Sequence, residues 1–329
     1  MKEMIKDTLM ILGVCLVFSI YVMVFTPYPA IDYLKVSEKN EWVTKEPKNF
    51  AEIKKTVAYY KDQTYPSLAS NNQYDLYVTK EPNRPLVIWI HGGQFVTGDK
   101  SDARTYGYLL ANQGYNVASI NYELLPNGQN PLPLIQVNDF IKEIKSKANK
   151  YGINLEQLYF AGNGSGGTLA GQYVNLQMNE KYRKQLSFNQ ELDPTHIKGA
   201  LFYASPFSIK EFKEKNKLVS SDYLMKRLGW AYFGKAQWEE TSVVSDLAWP
   251  KMIDHYPPVF LTDGNTLPIF EQSSGSLTTL LERKGIPVTA VHYSKEKSKV
   301  SNESLFNFHQ PQSKETFIKT LQFLQLQER

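Results

Sequence analysis

The sequence predicts an α/β fold, with a mostly parallel central sheet and helices on both faces. Three observations predict it. Short apolar runs alternate with longer amphipathic stretches along most of the chain. Some of the runs, Leu86–Ile90 above all, are continuously apolar, as in a strand buried on both sides. Two of them lead directly into glycine-rich tracts, where the backbone can turn tightly.

Taken in order, residues 27 to about 70 mix charges, aromatics and prolines and read as a linker and entry segment. Strands are expected at Tyr74–Val78, Pro85–Ile90, Asn116–Tyr122, Gln157–Ala161, Ile197–Tyr203, Pro258–Thr262 and Val288–Tyr293. Helices are expected between them, at Asp102–Asn112, Leu134–Tyr151, Thr168–Asn179 and Gly275–Lys284, with Glu315–Leu326 closing the chain. The stretch Ser208–His255 follows neither period. Its Trp230, Tyr232, Phe233, Trp238 and Trp249 suggest a helical insertion that roofs a site. The domain plan is therefore residues 1–26, 27–70 and 71–329, the last carrying an insertion at about 208–255.

Composition bounds the rest. The chain has 329 residues, 42% of them hydrophobic and 21% charged, enough for one large domain with a buried core. The net charge of +4 is spread thinly, and no basic block interleaved with aromatics supports nucleic-acid binding. Cys15 is the one cysteine, so there is no disulfide and no thiolate metal site. No metal-ligand spacing and no dinucleotide fingerprint occurs, and no cofactor is implied. The oligomeric state stays open.

Leu9–Phe25 is an uncharged apolar run broken only by Gly13 and Ser19. As a helix it is about 26 Å long, close to the ~30 Å thickness of the hydrocarbon layer. A cleaved signal peptide lacks a small-residue cleavage site here, because Pro27 and Pro29 come at once after the run. A lipoprotein signal ending at Cys15 has Val14 before the cysteine and an apolar run continuing beyond it. An uncleaved single-pass anchor is the expectation, with the membrane as its partner. The small positive excess of the N-terminus, Lys2 and Lys6 against Glu3 and Asp7, favours a globular domain outside the cytoplasm.

Two tracts carry the chemistry. His91-Gly92-Gly93-Gln94-Phe95 comes after a buried strand, and its glycines either make a tight exit or leave N–H groups pointing at an anion. Ala161-Gly162-Asn163-Gly164-Ser165-Gly166-Gly167-Thr168-Leu169-Ala170 runs from a strand through a turn into a helix, the shape of a nucleophile elbow. Ser165 at a helix start is either a cap or backbone donor, or, with the frame shifted by one, the nucleophile of Asn163–Gly167.

The chain resembles the α/β-hydrolase superfamily, in its esterase/lipase branch of hormone-sensitive-lipase-like carboxylesterases. The likeness covers residues 70 to 327. It rests on His91–Phe95, the elbow frame, Asn121-Tyr122-Glu123-Leu124-Leu125-Pro126 and Trp230-Ala231-Tyr232-Phe233-Gly234. It implies an α/β-hydrolase fold and an oxyanion hole built by Gly92, Gly93 and the N–H of Ser165. It also implies a degenerate triad. Laid on the family's A-G-D-S-A-G-G-N-L-A, the serine position holds Gly164. In Asp263-Gly264-Asn265-Thr266-Leu267-Pro268, laid on G-x-x-D-P-L, the acid position holds Leu267. In Val300-Ser301-Asn302-Glu303, laid on the N-H-E-like tract ahead of the closing Phe323-Leu324, the histidine position holds Asn302. Glycine has nothing to attack with, leucine cannot orient an imidazole, and an amide has no usable basicity. The resemblance therefore implies a pseudo-hydrolase that either binds a small acyl or peptidic ligand or presents a surface to another membrane protein. The alternative is an active serine carboxylesterase using Ser165 with His309 and either Asp263 or Glu271. His196, His255 and His292 read as structural, the last within a strand.

Overall fold

In the computed structural model, residues 1–37, 44–207, 219–240, 249–266, 268–294 and 299–328 are described. Eight strands form one sheet: β1 Ala58–Thr64, β2 Gln73–Val78, β3 Arg84–Ile90, β4 Asn116–Ile120, β5 Ile153–Asn163, β6 Ile197–Tyr203, β7 Val259–Thr262 and β8 Val288–Val291. Their spatial order is β1-β2-β4-β3-β5-β6-β7-β8. The pairs β1–β2 and β2–β4 are antiparallel, and every pair from β4 to β8 is parallel. This is the expected α/β-hydrolase architecture with one more strand than the sequence predicts.

Ten helices are described. They are α1 Lys2–Phe25, α2 Tyr28–Ser37, α3 Phe50–Thr56, α4 Arg104–Asn112, α5 Leu132–Tyr151, α6 Ser165–Met178, α7 Glu180–Gln185, α8 Val219–Phe233, α9 Pro268–Arg283 and α10 Pro311–Gln327. Residues 27–70, expected as linker and entry segment, contain α2, α3 and β1. The strand ending at Val291 leaves His292 one residue beyond it and exposed, not within it. Part of the expected insertion, residues 208–218 and 241–248, lies outside the described residues.

The period-2 alternation of the strands sorts the core into two layers. Leu86, Ile88 and Ile90 of β3, with Leu158 and Phe160 of β5, face Leu134, Phe140 and Ile144 of α5 and Leu169 and Tyr173 of α6. Val87 and Trp89, with Tyr159 and Ala161, face Tyr106 and Leu110 of α4 and Phe323 and Leu324 of α10. The continuous apolar run of β3 is a consequence of this arrangement: each face of the strand meets its own helical layer, and Pro85–Ile90 is buried throughout. Trp249 belongs to the first layer. A Cβ on Gly171 of α6 would lie 2.4 Å from its ring, so it is core behind α6 and not roof.

A third, smaller cluster joins Ile31 and Leu34 of α2 to Leu228, Ala231, Tyr232 and Phe233 of α8, with Val96 and Leu125 beneath. It is here, over the loop after β3, that the roof lies. Helix α1 is long and apolar enough to cross a membrane: Glu3–Phe25 has mean hydropathy 2.5, and none of it is buried against the rest of the chain.

Truncating the central strand tests this layering. Ile88→Ala removes a fully buried side chain from β3 and is expected to destabilise the fold by about 2–5 kcal/mol in denaturant titrations. Ile318→Ala, on the exposed face of α10, is expected to change stability by less than about 0.5 kcal/mol.

Candidate functional site

The parallel strands stop at a common edge. Ile90 of β3 lies opposite Gly162 of β5, Asn163 opposite Tyr203 of β6, and Tyr203 opposite Thr262 of β7. The residues just beyond them therefore leave the sheet side by side, at the carboxyl ends where ligand crevices of such sheets form. They are His91–Gly93, Gly164–Ser165, Ala204 and Asp263–Gly264. Two bonds carry the ladder past the strand ends: Gly164 N–H donates to Tyr203 O at 2.9 Å and Ala204 N–H to Thr262 O at 2.8 Å.

Between β5 and α6 the chain turns at Gly164, with φ +52° and ψ −128°. That backbone is strained for any residue with a Cβ, as expected of an elbow tip. The space itself is open, since a Cβ there would meet only Gly92 Cα, at 3.8 Å. Two residues on, the packing is closed: a Cβ on Gly166 would lie 2.2 Å from Ile90 O and 2.3 Å from His91 O. The elbow thus rests its backbone directly on the loop after β3. Ser165 opens α6 and is 6% exposed; its Oγ accepts the Phe95 N–H at 3.3 Å. Asn163, at the place of the family's acidic residue, is buried and its Oδ1 accepts from Trp89 Nε1 at 3.2 Å.

His91 is fully buried and stacks on Tyr122, with ring centroids 4.5 Å apart. Its Nδ1 lies 2.8 Å from Gly92 O; a carbonyl can only accept, so Nδ1 carries the proton. Burial holds the imidazole below its ordinary pKa, and burial pushes the Tyr122 phenol up. The Tyr122 hydroxyl donates to His91 O at 3.0 Å. Gly92 and Gly93 are both buried, and among the described residues neither N–H meets an acceptor. Buried backbone donors are ordinarily paired, so two adjacent ones left open mark a place suited to an acceptor from outside the chain.

The loop after β7 is clasped to the segment ahead of α10. Gly264 N–H donates to Asn302 Oδ1 at 2.9 Å, Asn265 N–H to Val300 O at 2.7 Å, Val300 N–H to Asn265 Oδ1 at 2.8 Å, and Asn265 Nδ2 to Tyr293 O at 3.1 Å. Asn302 is 5% exposed and Asp263 2%. Leu267 lies outside the described residues, as does the side chain of Glu271, whose backbone opens α9.

His309 stands exposed ahead of α10, its own N–H held by Asn307 Oδ1 at 3.1 Å, and no hydrogen bond links it to Ser165. His292 and His255 are exposed, and His196 ends a short turn at Pro194–His196. The edge of the sheet thus gathers Gly92, Gly93, Gly164, Ser165 and Asp263, and the Gly264 bond brings Asn302 beside them. Sequence reasoning misses the Asn265 clasp and the stacking of His91 on Tyr122. Nothing local to either tract tells which distant partner it meets.

Comparison with known proteins gives the same architecture. Residues 74–280 match the BD-FAE family model. A probable isoprenylcysteine alpha-carbonyl methylesterase of Oryza sativa subsp. japonica is 30% identical over 101 residues, 30% of this chain and 24% of that protein. An acetyl esterase of Salmonella schwarzengrund is 28% identical over 96 residues, 29% of this chain and 30% of that enzyme. The chain therefore spans less than a third of the length of either relative. Esterase B from Lactobacillus Rhamnosis superposes with a TM-score of 0.75 at 18% identity, covering 92% of this chain and 96% of that one. A bacterial heroin esterase gives 0.64 at 17%, covering 92% and 100%. At such identities the superpositions show the fold alone, while the family match spans most of the chain: this protein belongs to the BD-FAE family and, with it, to the esterase/lipase α/β-hydrolases.

Proposed function

We propose that this protein is a membrane-anchored α/β-hydrolase that has lost its serine-esterase machinery and retains the site for binding. The observation that carries this reading is Gly164. It holds the strained tip of the elbow at φ +52° in space open to a side chain, yet has no group with which to attack a carbonyl. Packing does not exclude a serine there, so the glycine is a loss of chemistry in an otherwise preserved frame. Asn302, in the histidine's place, commits its amide oxygen to Gly264 N–H and has no basicity to offer a nucleophile. Leu267 takes the acid's place in the motif.

The polar groups left for a ligand are the open N–H groups of Gly92 and Gly93 and the amino end of α6 at Ser165, together an oxyanion hole. Donors in that arrangement suit a carbonyl or carboxylate oxygen of a small acyl or peptidic ligand. Relatives named as an acetyl esterase and a probable isoprenylcysteine alpha-carbonyl methylesterase favour a ligand that presents an acyl or a cysteine carbonyl. Ser165 is the nucleophile of the competing active-esterase reading, with His309 and Asp263 or Glu271. Its Oγ is held by Phe95 N–H, and His309 faces solvent, which favours the binding reading over the catalytic one.

Retention of α1 as an anchor is supported by the contacts on its carboxyl side. Helix α2, which begins at Tyr28, buries Ile31 and Leu34 in the roof, and Tyr223 Oη donates to Met23 O at 3.0 Å. A chain cut near residue 26 forfeits the second contact and frees the end of the first. The charge balance at the N-terminus supports placing the globular domain outside the cytoplasm.

Two measurements test the reading. A fluorophosphonate probe reacts only with an activated serine, and no labelling of the full-length protein is expected. Labelling at Ser165 that disappears in Ser165→Ala would overturn the binding reading. Gly164→Ser alone is expected to give no short-chain ester turnover beyond the residual ~10³–10⁴-fold over water of an incomplete triad. It is also expected to lose about 1–3 kcal/mol of stability, since the serine inherits the strained backbone. Turnover should rise well above that level only in Gly164→Ser/Leu267→Asp/Asn302→His. A single Gly164→Ser variant as active as the triple one removes Leu267 and Asn302 from the explanation.

A further inference from the structure

The roof of the site is tied to the end of the apolar helix. Helix α1 stops at Phe25, Thr26 is extended, Pro27 is buried, and α2 starts at Tyr28. One face of α2 is buried, and its Ile31 and Leu34 are sealed against Leu228, Ala231 and Tyr232 of α8. The opposite face presents Tyr28, Tyr33 and Val36, which are 53%, 61% and 71% exposed. At the start of α8, Tyr223 is 40% exposed, and its hydroxyl donates to Met23 O in the last turn of α1. The Arg227 guanidinium lies 5.0 Å from the centre of the Tyr223 ring and 5.1 Å from that of Trp230.

This corner is unusual for the rest of the surface. Among the described residues that follow α1, nine large apolar side chains are exposed, and four of them, Tyr28, Tyr33, Val36 and Tyr223, sit here. Scattered apolar side chains need no explanation, whereas clustered ones mark a contact. The composition identifies the contact. Tyrosine, tryptophan and arginine with apolar bodies and polar tips are the residues of the boundary between hydrocarbon and water. The position agrees, because the last turn of an apolar helix of spanning length marks that boundary, and Tyr223 is bonded to it.

We propose that the outer face of α2, with the Tyr223–Arg227–Trp230 edge of α8, lies on the lipid headgroups of the bilayer from which α1 emerges. The proposal rests on α1 being a retained membrane anchor. Its consequence reaches the site: Tyr232, on the same α8, stacks on Phe95 with ring centroids 4.5 Å apart, and the Phe95 N–H is bonded to Ser165 Oγ. The membrane contact thus seats the roof, and the roof covers the loop that carries Gly92 and Gly93.

Reconstitution of the full-length chain into phosphatidylcholine–phosphatidylglycerol vesicles tests this with one environment-sensitive fluorophore at three positions. The native Cys15 reports on α1. In a Cys15→Ser background, Val36→Cys reports on the outer face of α2, and Lys80→Cys, in the turn before β3 at the far edge of the sheet, is the control. Quenching of the Cys15 probe by acyl-chain spin-labelled lipid is expected. Headgroup spin-labelled lipid is expected to quench the Val36 probe severalfold more than the Lys80 probe. Equal quenching at Val36 and Lys80 with a quenched Cys15 probe overturns the docking of the roof and leaves the anchor standing. An unquenched Cys15 probe removes the anchor, and the docking with it.

Discussion

The contact of two backbones, the loop after β3 and the elbow after β5, is the constraint on which the site depends. Parallel pairing of β3 with β5 delivers both chains to one edge at one height, Ile90 beside Gly162. At that point there is no room for side chains between them, and a Cβ on Gly166 would collide with two carbonyl oxygens. The positions of Gly92, Gly93 and Gly164 are therefore set by sheet register and not by the residue at the elbow tip. The frame therefore holds whichever residue stands at the elbow tip. A Cβ at φ +52° stores strain of order 1–3 kcal/mol, which a glycine releases.

A similar economy holds on the far side of the crevice. The loop after β7 and the segment before α10 are joined by side-chain amides, Asn265 to Val300 and Tyr293, and Asn302 to Gly264. Each bond satisfies a backbone group in a region nearly closed to water, where an unpaired donor or acceptor costs about 1–3 kcal/mol. Asn302 thus has a structural duty that is independent of proton transfer. An amide can donate and accept there at any pH, whereas an imidazole in the same place changes charge with its surroundings.

The roof connects these loops to the other end of the chain. Apolar contacts run from α2 through α8 to Val96 and Leu125, and Tyr232 on Phe95 is the last link before Ser165. A segment that reads as a spacer between anchor and domain is in this way part of the cover of the site. Its short helices hold because their apolar faces are buried by α8 and by the α4 layer, not through propensity, since helices of this length are marginal alone.

The sequence by itself determined the α/β class, the order of seven strands and the two glycine tracts. Periodicity and turn chemistry are local properties, and Ile197–Tyr203 was legible to the residue because, Lys198 apart, its residues form one apolar run. It also carried the glycine at position 164, since residue identity needs no coordinates. Strand β1, Ala-Tyr-Tyr-Lys-Asp-Gln-Thr, was illegible because an edge strand open to solvent needs no apolar pattern. Trp249 reads as roof beside its aromatic neighbours in sequence, and only packing places it behind α6. The open geometry at Gly164, the clasp of Asn302 on Gly264 and the bond from Tyr223 to Met23 belong to the tertiary structure alone. Each joins residues far apart along the chain, and no local pattern encodes which of them will meet.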